Sequence, residues 1–168
     1  MRYVRWCLCA LLCAAALLVG TSCGRSSLSA AEILSRLEET AGELPAGERY
    51  YSGVEEGYEG GLPSDLRKSL YGEESEEIFE TVEEYAIYLS SAAKPAQIAV
   101  FRCYSATDAH RVTLMCMERS EALRTALRGT EWEAFVDGAV VLCRGRDVLL
   151  CLTDCAQSME KQAVRLLR

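Results

Sequence analysis

The chain has 168 residues and 18.5 kDa, half of them hydrophobic, with three prolines and one histidine. That suits one packed domain and excludes a disordered tail. A formal charge of −7 argues against a partner reached through nucleic-acid phosphates, and a lone histidine excludes every multi-histidine metal site.

Arg2 and Arg5 open the chain, an uncharged stretch runs from Trp6 to Gly24, and Gly20, Thr21 and Ser22 precede Cys23. Basic, then apolar, then small is the order of an export signal, so residues 1–22 read as a signal peptide. The Ser22-Cys23-Gly24 ending resembles a bacterial lipobox, with Gly20 where that motif usually carries Leu or another aliphatic residue. The resemblance implies that Cys23 receives diacylglycerol and becomes the mature N-terminus. Residues 23–29 are then the lipidated Cys and a Ser-rich tether, and residues 30–168 a single domain. Two other readings stay open. Ordinary signal peptidase cuts and Cys23 is incidental, or the uncharged stretch stays as an anchor close to the ~20 residues a span needs. All three place the domain outside the cytoplasm. The lipobox reading puts it on the extracytoplasmic face of the cell membrane, held by its N-terminal lipid.

Charge is uneven along the rest. Residues 24–97 hold 16 acids and 6 bases, and residues 98–168 hold 9 acids and 10 bases. A solvated first half and a packed second half follow.

Ser29-x-x-Glu32 is a capping box, and Ile33, Leu34, Leu37 and Ala41 continue it at helical spacing until Gly42. Residues 45–63 are rich in Gly and carry Pro45 and Pro63, which predicts a loop or irregular ribbon. Tyr50, Tyr51 and Tyr58 within it are candidates for a stacking platform, against the plainer reading that they lie on the core. Ser64–Tyr71 reads as a short helix closed by Gly72. Residues 73–84 hold seven Glu. Without calcium-loop spacing, that pattern reads as a solvated face with Ile78, Val82 and Tyr85 inward.

From residue 85 the period becomes two, with strands over Tyr85–Ser90 and Gln97–Tyr104. A long helix opens at Thr107 or Asp108, with Val112, Met115, Cys116, Leu123, Ala126 and Leu127 as its apolar stripe. Trp132 and Phe135 sit in the connection that follows. Residues 139–144 and 147–152 flank Gly145-Arg146, a two-residue loop with Gly first, as a type II′ hairpin requires. That register puts Cys143 opposite Val148, Val141 opposite Leu150, Ala139 opposite Leu152 and Arg144 opposite Asp147. Both hairpin faces are apolar at mid-strand, so it is central in a sheet or its second face meets something. Residues 156–167 read as a final helix with Met159, Ala163, Val164 and Leu167 inward. The expected architecture is α+β: a two-layer sandwich with a four-stranded antiparallel sheet in ββαββα order, helices on one face, and an N-terminal helix.

The segments Glu84-Tyr-Ala-Ile-Tyr-Leu-Ser, Gln97-Ile-Ala-Val-Phe-Arg, Met115-x-x-x-Arg119 and Val140-Val-Leu-x-x-Gly145-x-x-Val148-Leu-Leu resemble the bacterial domain of unknown function 4358, a family of small exported lipoproteins. The resemblance covers about residues 30–168, and Gln97 stands where that family often carries Glu. It implies fold and location and no activity.

Chemistry-bearing clusters are sparse. Cys103, Cys116, Cys143, Cys151 and Cys155 are an odd set without C-x-x-C spacing, so they read as small hydrophobes without an obligatory disulfide framework. Cys143 and Cys151 fall on opposite hairpin faces. His110 opens the long helix and cannot reach Cys116 six residues on; a Cys103–His110 dyad stays open. Gly-rich phosphate loops and G-x-S-x-G are missing. Arg119 interrupts an apolar stripe, pairing with an acid or holding an anion. The expectation is a non-catalytic, membrane-tethered domain that binds a protein or cell-envelope partner, with no nucleic acid, cofactor or metal. The alternatives are a small-ligand or ion-binding lipoprotein using Arg119 and the Tyr50–Tyr58 loop, or a thiol-dependent enzyme.

Overall fold

The computed structural model describes residues 28–167; residues 1–22, expected to be a signal peptide, and Cys23 lie outside them. Helix α1 (Ala30–Ala41) starts where the sequence asks: the Ser29 hydroxyl accepts from the Glu32 N–H, and the Glu32 carboxylate accepts from the Ser29 N–H. There follow β1 (Gly47–Tyr51), α2 (Ser64–Tyr71), α3 (Ser75–Phe79), β2 (Val82–Ser90), β3 (Gln97–Cys103), α4 (Ala106–Ala126), α5 (Glu133–Asp137), β4 (Val140–Arg144), β5 (Asp147–Leu152) and α6 (Ala156–Leu166). No helix among them is long and apolar enough to cross a membrane.

The strands form one antiparallel sheet in the order β1-β2-β3-β5-β4. The α+β class with an antiparallel sheet is as expected, but there are five strands where four were expected. The extra strand, β1, hides among the glycines of 45–63: it is an edge strand, and pairing with β2 rather than its own pattern makes it extended. The layering differs too. Every residue of β3 and β5 is buried, so both sheet faces need cover. On one face, Val112, Met115 and Cys116 of α4 meet Ala99, Phe101 and Leu150, with Phe79 packing edge-on to Phe101 at 5.7 Å. On the other, Ile33, Leu34 and Leu37 of α1 and Met159 and Ala163 of α6 meet Ile98, Val100, Leu149 and Cys151. The helices therefore lie on both faces, not on one.

The hairpin holds the expected register: Cys143 opposite Val148, Val141 opposite Leu150, Arg144 opposite Asp147. β4 starts at Val140, so Ala139 stays outside the ladder. Gly145 has φ 59° while Arg146 keeps a negative φ, the pattern of a type II′ turn. Of the two hairpin strands, β5 is central and β4 is the sheet edge. Where β2, β3 and β5 meet, Arg102 lies buried in the sheet. Its Nε donates to Asp147 at 2.8 Å and Nη1 to Glu84 at 3.2 Å. The α4 stripe is shorter than expected. Ser105 caps it by accepting from the Asp108 N–H, and Ala126 is exposed because the helix runs past the sheet.

Candidate functional site

The hairpin's geometry decides what the β4 edge presents. Its two-residue loop makes Arg144 and Asp147 a hydrogen-bonded pair, and antiparallel alternation turns Leu142 and Val140 toward β5 as well. The backbone N–H and C=O groups of Val141 and Cys143 therefore point away from the sheet. Beside this edge runs α4, with Leu114 47% and Met117 54% exposed, two of the four large hydrophobics most open to solvent. Residues three apart are neighbours on a helix face. Leu114, Met117, Ala139 and Val141 line a groove of about 610 Å³ whose rim is Glu118, Glu121 and Arg124. Arg124 is occupied: its Nε lies 3.1 Å from Asp137 and its Nη1 pairs with Glu121, contacts that hold the guanidinium firmly charged. Glu118 forms no ion pair among the described residues, which leaves a carboxylate on the rim of an apolar groove. The sequence did carry a signal for this site: Leu114 and Met117 are apolar residues that flank the Val112–Met115–Cys116 stripe rather than join it.

Among the described residues Arg119 has no acid partner. Its Nε donates to Gln97 Oε1 at 3.3 Å, and Gln97 Nε2 donates to the Tyr71 hydroxyl at 2.7 Å. Burial pushes the Tyr71 phenol well above its usual range and lowers the Arg119 pKa. The expected choice between an acid pair and an anion site thus has a third answer: a half-buried guanidinium oriented by a neutral amide. The residue at 97 sits 22 positions away, on a different element, so no local spacing announces the contact.

The three tyrosines do not assemble a stacking platform. Tyr50 is buried in the α4-side core, its hydroxyl donates to Glu48, and burial together with that carboxylate pushes its pKa up to about 12. Tyr51, next along the strand, packs against the opposite core. Tyr58 is 68% exposed. Together they line an open cleft of about 850 Å³ beside β1, over a loop in which Gly60 C=O accepts from the Tyr51 N–H at 2.8 Å.

The thiols separate by environment. Cys103 on β3 and Cys116 on α4 are buried in the same core, and Cys143 is exposed on β4. Burial pushes Cys103 up to about 12 and Cys116 higher still. His110 is exposed while Cys103 is enclosed, and no hydrogen bond joins them, so the Cys103–His110 dyad is not assembled. Cys151 and Cys155 converge with Met159 around the Thr153 hydroxyl, a grouping that sequence reading missed although the residues recur every four positions.

No family model, curated protein or solved structure matches the chain.

Proposed function

We propose that the protein is a membrane-tethered, extracytoplasmic lipoprotein domain without catalysis of its own, which binds a protein partner along the α4–β4 groove. The observation that supports the binding role is the contiguity of a strand edge that is unpaired among the described residues with an exposed apolar helix face. Free edges are pairing templates, and an extended segment of a partner adds a strand to them while its alternate side chains fill the adjoining groove. The groove selects a segment with apolar residues at every second position and one Lys or Arg to face Glu118. The tether rests on the basic, apolar and small order of residues 1–24 and on Cys23, and the resemblance to the lipoprotein family of domain 4358 supports the same location.

Two measurements test it. Cys23→Ala should move the chain out of the membrane fraction or stall it as precursor; unchanged fractionation and size would remove the lipid anchor from the account. For the groove, the full chain is crosslinked in detergent-solubilised membranes. Val141→Pro, which removes an outward N–H and no ladder bond, and Met117→Lys should each abolish the crosslinked species. Tyr58→Ala in the β1 cleft should leave it. The reverse pattern would move the binding site to the β1 cleft and favour a small-ligand role.

A further inference from the structure

The end of β5 and the start of α6 bring three sulfurs to one point. Cys151 projects from the last turn of the strand toward α1 and α6, where it is fully buried. Cys155 caps α6, its C=O accepting from the Met159 N–H at 3.0 Å, so backbone bonding fixes the spacing between Cys155 and Met159. Cys151 Sγ lies 3.3 Å from Met159 Sδ. The Thr153 Oγ1 lies 3.5 Å from Cys151 Sγ, 3.4 Å from Cys155 Sγ and 3.3 Å from Met159 Sδ. One hydroxyl is thus the shared neighbour of two thiols and a thioether.

We propose that Cys151, Cys155 and Met159 form a binding site for a soft monovalent metal ion, Cu(I), with Thr153 holding the three sulfurs turned toward one another until the ion takes its place.

The donor set carries the choice of ion. Thiolate and thioether are soft ligands that favour Cu(I), and hard cations need oxygen donors. Nowhere among the described residues do three His, Cys, Asp or Glu side chains converge. Here the third donor is a thioether, which suits Cu(I) and not the four-coordinate thiolate and imidazole sets of structural zinc. The carboxylate of Asp154, next to Thr153 in the chain, is engaged by Lys94.

The surroundings suit capture of an ion. Met159 and Cys151 are fully buried, which excludes water from two of the three donors. Cys155 is half-buried, and with Thr153 it lines the floor of a cleft of about 570 Å³ between Lys94, Trp132 and Phe135, which opens the site to solvent. Loading forms two Cu–S(thiolate) bonds and one Cu–S(thioether) bond and breaks two S–H bonds, and both protons go to solvent through the cleft. No electron moves, because copper enters already as Cu(I). The product carries one net negative charge.

The test titrates the full chain, reduced and in detergent, against Cu(I) held as its bicinchoninate complex, reading loss of the chromophore. One equivalent should be withdrawn, and X-ray absorption should show a sulfur-only shell. Met159→Leu conserves volume and Cys155 is half-exposed, so Met159→Leu and Cys155→Ser should keep the fold, as circular dichroism checks. Each should weaken retention at least tenfold, while Cys103→Ser, on the other face of the sheet, should not change it. Failure to withdraw copper, retention indifferent to both site variants, or equal uptake of Zn(II) would overturn the proposal. So would a reduced protein that takes no copper while its oxidised form joins Cys151 to Cys155.

Discussion

The two edges of the sheet are built to opposite ends. At β1, the loop of residues 52–63 folds back on the strand, and Gly60 accepts the outward Tyr51 N–H. Arg49 in mid-strand is paired with Glu38 at 2.9 Å and stacks over Tyr88. Charge and a covering loop are the usual protection against stray pairing. At β4 the run Val140-Val141-Leu142-Cys143, before Arg144, has neither device among the described residues, and α4 adds Leu114 and Met117 beside it. Among the described residues one edge is shielded and the other is bare, and the proposed binding role rests on that difference.

Both edges hang from the same centre, so the largest effect comes from breaking it. Arg102→Ala strands Asp147 and Glu84 without their cation in a buried site, and removing one member of a buried pair costs about 3–5 kcal/mol. Chemical denaturation should show that loss with the urea m-value kept, and a change under about 1 kcal/mol would mean that the cluster is well solvated.

Next in size is the shield on β1. A Cβ at Gly61 would stand 2.1 Å from the Glu55 carbonyl oxygen, a clash with backbone that only loop movement relieves. Gly61→Ala should cost about 2 kcal/mol and open residues 52–63 to limited proteolysis. The covered edge would then behave like the bare one, with concentration-dependent association seen by light scattering. A variant that stays protease-resistant and monomeric would show that the loop is not what protects β1.

Alkaline titration separates the interior from the β4 edge. Cys103 and Cys151 have folded pKa values raised to about 12, so the stabilisation from keeping them neutral is complete below the unfolded thiol range. It is lost as pH rises from about 9 through about 12, and the melting midpoint should fall across that window. At pH 8 iodoacetamide should label Cys143 first and spare Cys103, Cys116 and Cys151, as mass mapping under native and denaturing conditions would reveal. Reductant alone should hardly move the midpoint, since the domain is large enough to fold without staples.

Val141→Pro should cost under about 1 kcal/mol, because edge strands tolerate proline where the N–H faces outward. On the proposed function its effect falls on partner binding, and a large fall in the melting midpoint would show that this N–H serves the fold. Smallest of all is Glu38→Gln. The Arg49 pair is exposed, and exposed pairs contribute about 0.2–1 kcal/mol, an amount that should vanish at high salt.

Local chemistry was readable wherever it is self-contained. The Ser29 capping box, the Gly145-Arg146 turn with its cross-strand partners, the Gly72 stop and the burial of Cys116 each depend on residues within one turn or one hairpin, and each was legible. The apolar mid-strand residues of β5 on both faces announced that its second face meets something, yet not which helices cover it. What only the tertiary structure decided lies between distant elements. β1 becomes a strand because β2 supplies its hydrogen bonds, and α1 and α6 share the face opposite α4 because the sheet has two apolar sides. Arg119 meets Gln97 rather than an acid because α4 crosses the start of β3. The sulfurs of Cys151, Cys155 and Met159 converge because a strand end, a turn and a helix start fold onto one hydroxyl. Periodicity records which side of an element is apolar, whereas the partner across the gap is set by how the whole chain closes its core.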